Sequence, residues 1–224
     1  MSIELTTTEE LRQSDNTGLQ TYLNVVLKRR SIRKLTSGPI TDEMIRHILE
    51  AGRWSPSSGN TQPARIVVIK ERQNEFWDFV ANTLQQKLQG DQLERALNRI
   101  PGYRSGIFTL LFYEDTTISN NPPLPGGAEI WKNFAAQAMG IVQSNVWNAI
   151  AAAGLAASNQ HINLQIEDEL REFLGVPATW KSYSIFPVGY ANETPVERSR
   201  HPHESTIFYE HGPLEESVEV LSQE

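Results

Sequence analysis

A helix-rich sandwich around a small β-sheet, of the α+β or α/β class, is what this sequence predicts. Three observations point there. Short apolar runs rich in β-branched residues, "ARIVVI" (64–69) and "GIFTLLFY" (106–113), read as buried strands. Stretches with apolar residues at 3,4 spacing separate them and read as helices. One long segment, Glu129 to Ala153, is apolar on most sides, the pattern of a helix that is central to its fold or lies at a subunit interface.

Taken in order, residues 1–18 are polar and read as a flexible lead-in. Leu19, Tyr22, Leu23, Val26 and Leu27 form one helix face, and continuing the spacing places Arg30 on the same stripe. A second helix follows "GPIT", with Thr41 as its cap, Asp42 and Glu43 at its positive end, and Met44, Ile45, Ile48 and Leu49 as its stripe. "RWSPSSGNTQP" (53–63) holds two prolines and a glycine and is a loop leading into the first long strand. Helices are expected over Asn74–Leu88 and Leu93–Arg99, on either side of "QGDQ". After the second strand, "NNPPLPGG" (120–127) is a loop and a candidate lid. The long helix comes next. "DELREFLGV" is a short helix ended by Gly175 and Pro177, and "YSIFPVGY" (183–190) is the last strand. One domain over 19–204 and a tail over 205–224 complete the division. Strands alternating with helices give a sheet covered by helices.

Composition narrows the function. The chain has 224 residues, 27 acidic against 20 basic, and a formal charge of −7, which argues against a general nucleic-acid binder. It contains no cysteine, which removes disulfides, thiolate nucleophiles and iron–sulfur ligation and fits a reducing cytosol. No secretory signal and no apolar stretch of membrane-spanning length are visible, so a soluble, cytoplasmic protein without a membrane partner is expected.

The common catalytic signatures (GxGxxG after a strand, GxxxxGK[ST], HExxH, GxSxG) are missing. Four places could still carry chemistry. "KRRSIRK" (28–34) packs five cations into seven positions of an acidic chain. A solvated basic helix end is the commoner use of such a run. Arginine planes beside a serine hydroxyl are also the usual means of holding a phosphate. "SPSSGN" offers hydroxyls and an amide on the loop, although capping a turn is their ordinary work. "ERSRHPHES" (197–205) adds Arg198 and Arg200, which could equally be a solvated tail. His201, His203 and His211 have weak metal spacing constrained by Pro202, so no metal site is expected. His161 reads as a packed or capping residue. Trp131 and Phe134 read as core, or as the lining of a flat apolar pocket.

Taken together, "VLKRRSIRKLTSGPITDEMIRHILEAGRWSPSSGNTQPARIVVI" resembles the amino-terminal half of the nitroreductase family of flavoproteins. The resemblance continues more loosely through the long helix, "GLAASNQHI", "VGYA" and "RSRHP", over about residues 19–204. The "GLAASNQHINLQIEDELREFLGVPATWK" segment is most similar to the subgroup named for fatty-acid repression and copper induction. The resemblance implies an α+β, three-layer sandwich with a small mixed sheet, and an intertwined homodimer with FMN at the subunit interface. By position it places Arg29, Arg30 and Ser31 at the phosphate and ribityl chain, and Arg33 near the flavin N1 and C2 carbonyl. Ser57, Ser58, Asn60 and Gln62 would surround the ring and ribityl group, partly from the partner chain. Gln160 and His161 would pass the isoalloxazine, and Arg198 and Arg200 would close on the phosphate. The implied activity takes hydride from NADH or NADPH and passes two electrons, in ping-pong fashion, to nitroaromatic or quinone-type acceptors. No side-chain acid, base or nucleophile is needed, so no catalytic residue is assigned. A non-enzymatic flavin-binding sensor is the alternative, and flavin cleavage or reductive dehalogenation are other outcomes of the same chemistry. Two departures bear on substrate range. Ala64 and Arg65 follow Gln62-Pro63 where an aromatic residue is common, and the proline- and glycine-rich 121–127 segment is not a hallmark of the family.

Overall fold

Strand β3 (Phe108–Asp115) organises the chain, because neither of its faces reaches solvent. In the computed structural model, which describes residues 17–121, 123, 125–201 and 205–207, every residue of β3 but the last is buried. Its side chains alternate between two cores, as the period of a strand requires. Phe108, Leu110 and Phe112 face one cluster, while Leu111 and Tyr113 face the other. On β3 pack β2 (Ala64–Ile69) and β5 (Trp180–Ala191), both antiparallel to it. The short strands β1 (Leu35–Thr36) and β4 (Ala156–Ala157) pair antiparallel with β5. The sheet order is β1-β5-β3-β2, with β4 beside β5. All of these pairings are antiparallel, so the sheet expected to be mixed is an antiparallel one; the parallel bridge between Ser31 and Ala157 is isolated and lies outside these strand pairings.

Helices cover both faces and make three layers. On the first face lie α2 (Asp42–Arg53), through Ile45 and Ile48, and α7 (Ala128–Ala152), through Met139, Val142, Val146 and Ile150. On the second lie α3 (Gln73–Lys87), α4 (Gly90–Leu97), α5 (Ile100–Arg104) and α8 (Glu167–Leu174). Phe76, Trp77, Val80, Leu84, Tyr103 and Leu170 form the core of that face. The expected Thr41 cap is present: its hydroxyl accepts from the Met44 N–H at 3.1 Å. Gly175 ends α8 in the left-handed conformation expected of a helix-terminating glycine.

Several expectations change. The first helix, α1 (Thr17–Lys28), stops two residues short of Arg30 and buries none of its residues, so Arg30 does not continue a buried helical stripe. The piece expected over Leu93–Arg99 is α4, which ends at Leu97, and α5 is a further helix that opens at Ile100 with Pro101 in its first turn, where a proline fits. A further turn, α6 (Thr116–Asn120), precedes the proline-rich loop, capped by Asp115 accepting from the Thr117 N–H at 3.2 Å. Within that loop Pro122 and Leu124 lie outside the described residues. Trp131 is buried edge-on against Phe134, with ring centroids 5.5 Å apart, so this pair packs the interior. The lead-in before residue 17, Pro202, His203 and most of the tail also lie outside the described residues. Among the described residues no helix is long and apolar enough to cross a membrane, and no group of three metal-ligating side chains forms.

One glycine ties the second helical layer to the basic turn. A Cβ on Gly102, in α5, would stand 2.4 Å from the Arg33 carbonyl oxygen. Backbone cannot swing aside as a side chain can, so Gly102→Ala must displace α5 or the Arg33 segment. Overpacking of this kind costs roughly 1–3 kcal/mol. A melting temperature lower by several degrees is expected in thermal denaturation; an unchanged one would mean that the contact relaxes freely.

Candidate functional site

The chain leaves α1 at Lys28 and turns alongside β4. Ile32 is 4% exposed and its N–H donates to the Ala157 carbonyl at 3.0 Å. Burying this one apolar residue turns Ser31 and Arg33, on either side of it, outward. The backbone N–H groups of Arg33 and Lys34 donate to Glu193, just beyond β5, at 2.5 and 3.2 Å. The Asn192 N–H donates back to the Lys34 carbonyl at 2.8 Å. Residues 29–34 are thus held from both sides.

Between this turn and the segment after β5 lies a cavity of about 290 Å³. Arg29, Arg30, Ser31, Arg33, Arg198 and Arg200 line it, and Glu193 is the one acid among the lining residues. Five guanidinium groups therefore face one small space. Arg29 is half-buried, stacked 4.4 Å over the Trp147 ring. Its pKa is pushed below the ordinary arginine value, first by burial and then by the charges of Arg200 and Arg30. Arginine remains protonated regardless, so the repulsion persists until an anion enters. Arg30 donates to the Val196 carbonyl and Arg200 to the Ser199 carbonyl, which aims these side chains without neutralising them.

A second cavity, of about 430 Å³, adjoins the first, and Arg33 alone lines both. Gln160 and His161 line it, with Tyr103, Asn159, Arg95 and Arg99. Gln160 is more committed than a ligand-facing residue would be. Its N–H and carbonyl both bond to Ile185 at 2.9 Å, and its side-chain oxygen accepts from the Tyr103 hydroxyl at 2.6 Å. The Tyr103 carbonyl in turn accepts from Gln73, which joins a buried chain through Thr109 to the Trp77 indole N–H. Burial raises the pKa of the Tyr103 phenol, although Arg99 and Arg33 oppose the rise. The Asn159 Oδ1 is buried with no hydrogen-bond partner beside this cavity.

Ser57, Ser58, Asn60 and Gln62 are elsewhere. Ser57 and Gln62 line a third cavity, of about 240 Å³, that shares no residue with the other two. The Ser57 hydroxyl accepts from the Gln62 N–H at 2.9 Å, and Gln62 Nε2 donates to the Asn60 side-chain oxygen at 3.2 Å. Asn60 and Gln62 both have positive φ, 53° and 49°, although neither is glycine. Such conformations cost energy and gather where function requires a fixed backbone. Helix α7 explains the separation. Val146 points into the core, and its neighbours lie about 100° to either side. On one flank Asn145 donates to Ser55 at 2.8 Å, anchoring the serine loop. On the other flank Trp147 carries Arg29.

This arrangement can be set beside known proteins. The Nitroreductase family model matches residues 26–190. The chain belongs to the nitroreductase family. Nitroreductase FRM2 of Saccharomyces cerevisiae is 27% identical over 183 residues, spanning 80% of this chain and 92% of its own. The NADPH-flavin oxidoreductase of Vibrio harveyi is 40% identical over 62 residues, 27% of this chain and 26% of that one. Among solved structures, nitroreductase CinD of Lactococcus lactis in complex with chloramphenicol superposes with a TM-score of 0.75 at 25% identity, covering 84% of this chain and 98% of CinD. The family match includes the basic turn and the serine loop of this chain but ends before Glu193, Arg198 and Arg200.

Sequence reasoning missed Glu193, Tyr103, Trp147, Arg95 and Arg99. Only the last two carried a signal, since arginines four apart share a helix face. The cavity of five arginines yields a prediction. Inorganic phosphate or FMN should raise the melting temperature of ligand-free protein, by an amount equivalent to about 2.7 kcal/mol at a hundredfold excess over Kd. Arg29→Gln should remove most of that gain in a thermal-shift titration. An equal shift in the variant would place the anion elsewhere.

Proposed function

We propose that this chain is an FMN-dependent NAD(P)H oxidoreductase that works as a homodimer and passes two electrons, in ping-pong fashion, to flat nitroaromatic or quinone-type acceptors. The observation that carries the reading is the cavity of five arginines and one serine, whose mutual repulsion calls for a dianionic group such as the FMN phosphate. The unpartnered Asn159 Oδ1 beside the adjoining cavity fits a ring that carries an N–H donor. When bound, FMN supplies the hydride chemistry, and the protein supplies position and charge.

In this reading Arg29, Arg30, Arg198 and Arg200 hold the phosphate, and Ser31 donates to its oxygens or to the ribityl chain. Arg33, which lines both cavities, presents a fixed positive charge where negative charge develops on reduction. A charge already in place stabilises that state without rearranging solvent. Tyr103 and Gln160 fix the wall of the larger cavity. The names of the relatives support the donor and acceptor classes. The Vibrio harveyi protein is an NADPH-flavin oxidoreductase, and CinD has been solved with 4-nitrophenol as well as chloramphenicol.

The placement of the serine loop supports the dimer. Ser57 and Gln62 line a cavity that shares no residue with the arginine cavity, so in this reading the loop serves the flavin of a second copy. Helix α1, with no buried residue, and the small residues Ala136 and Gly140 exposed on α7 offer faces for such a copy.

Purified protein should be yellow and should bleach on anaerobic addition of NADH or NADPH. Arg33→Ala should lower turnover on the order of tenfold or more while FMN content holds, since a fixed charge at the reacting centre is worth that much. Equal losses of both would deny Arg33 its electrostatic role. A mixing experiment addresses the composite site. Chains carrying Arg29→Gln with Arg200→Gln, and chains carrying Asn60→Ala with Gln62→Ala, should each be defective alone. Unfolded together and refolded, they should regain activity, because half of the sites in a mixed dimer are wild type. No recovery would mean that each site is built from one chain.

A further inference from the structure

The larger cavity holds charge that the reading above leaves unused. Its twelve lining residues include Arg33, Arg95 and Arg99, with His161, and none is Asp or Glu. The FMN phosphate has no need of Arg95 or Arg99, which do not line the five-arginine cavity. An oxidised isoalloxazine is uncharged and calls for no further cation. The nearest ion pair to either is the contact between Arg95 and Asp91, a loose 3.9 Å with both side chains well exposed. In a chain of net charge −7, a cavity rimmed by arginine without a carboxylate is a selected charge rather than an average one.

We propose that Arg95 and Arg99 form a second anion-recognition point, at the mouth of the substrate cavity, which selects molecules bearing a carboxylate or phosphate on a flat body. This rests on reading the cavity as the substrate side of a flavoenzyme. Arg95 lies in the last turn of α4, and Arg99 follows at the junction with α5 in right-handed helical conformation. The fork of each guanidinium suits a carboxylate or phosphate, which it can bind through two parallel hydrogen bonds. Arg99 and Arg33 line the same cavity as Tyr103, so their charges border one volume. Gln92 and Gln165 add neutral polar groups at the same rim. The junction that positions Arg99 is fixed by α5, which Gly102 allows to lie against the Arg33 backbone.

Two sources could supply the anion: a carboxylate on the acceptor, or the 2′-phosphate that distinguishes the phosphorylated nicotinamide donor. Isothermal titration calorimetry separates them without turnover. The ligand pairs are 4-nitrobenzoate against 4-nitrobenzamide, and NADP+ against NAD+, each measured on wild-type protein with FMN in excess and on the double variant R95Q/R99Q. Both positions are exposed, so the variant should fold, and R95Q alone serves if it does not. In one pair the wild-type protein should prefer the anionic member by about tenfold or more, and that preference should collapse in the variant. Collapse in the first pair identifies the acceptor as the source; collapse in the second identifies the donor. Preferences near unity in both pairs, or a preference that survives R95Q/R99Q, would overturn the proposal. Failure of the flavoenzyme reading would register separately, as protein that neither binds FMN nor bleaches with nicotinamide donor.

Discussion

Five guanidinium groups around one small cavity are the constraint that the rest of the structure serves. Left to themselves they would separate, and flexible side chains on a free loop would do so at little cost. Here the backbone gives them no such freedom. Ile32 is buried, its N–H is taken by Ala157, and Glu193 receives two successive N–H groups from the other side. The burial of Arg29 over Trp147 adds a desolvation cost to the repulsion. Folding energy drawn from the two cores is therefore spent on holding a charge distribution that only an anion completes. A ligand that supplies the anion stabilises the fold by the same interactions that bind it.

Helix α7 divides the molecule as well as filling its core. Because adjacent helical residues lie about 100° apart, a helix seated on a sheet by Val146 must present its neighbours to opposite flanks. Asn145 and Trp147 serve the two functional segments from those flanks. The strained backbone at Asn60 and Gln62 makes sense in this light. Two left-handed non-glycine residues cost of order 1–3 kcal/mol each and are kept only where the surroundings impose them. The Ser57 hydroxyl and the Asn60 side chain supply that imposition locally, so the loop is preshaped by its own hydrogen bonds.

How much of this was legible beforehand depended on whether the signal was local. Strand β2 is bounded as the sequence suggests, and α7 begins and ends within one residue of expectation, because long apolar runs and clean caps are local properties. The fate of Arg30 was not local. Extending the helical spacing past Lys28 assumed a partner surface within the same chain, and α1 has none that buries it. Helix α5 escaped notice because a proline at the start of a helix and a proline that breaks one look alike in a single sequence. At the site, "KRRSIRK" announced itself by charge density, whereas Glu193 is an ordinary acid whose role exists only because β5 returns to the basic turn. Tyr103 was equally silent. Its importance lies in a hydroxyl meeting Gln160 across 57 positions of chain, which no spacing rule describes.

The sharing of Arg33 between two otherwise separate cavities gives the last step. Interactions made far from the reacting atoms can hold and orient a cofactor without altering its reactivity. The four outer arginines fit that role, since the cavity they line touches the larger one through Arg33 alone. Arg33 must serve both ends, because its charge counts toward holding the anion and toward whatever charge develops beyond it. This places a limit on how the site could change. In the proposed reading the outer arginines can be exchanged or lost with graded effects on binding, and the rim arginines with effects on which molecule enters. Arg33 cannot be tuned for one end without disturbing the other. That coupling is why its backbone is pinned by Ile32, by Glu193 and by the close approach of Gly102, while the neighbouring side chains are held more loosely.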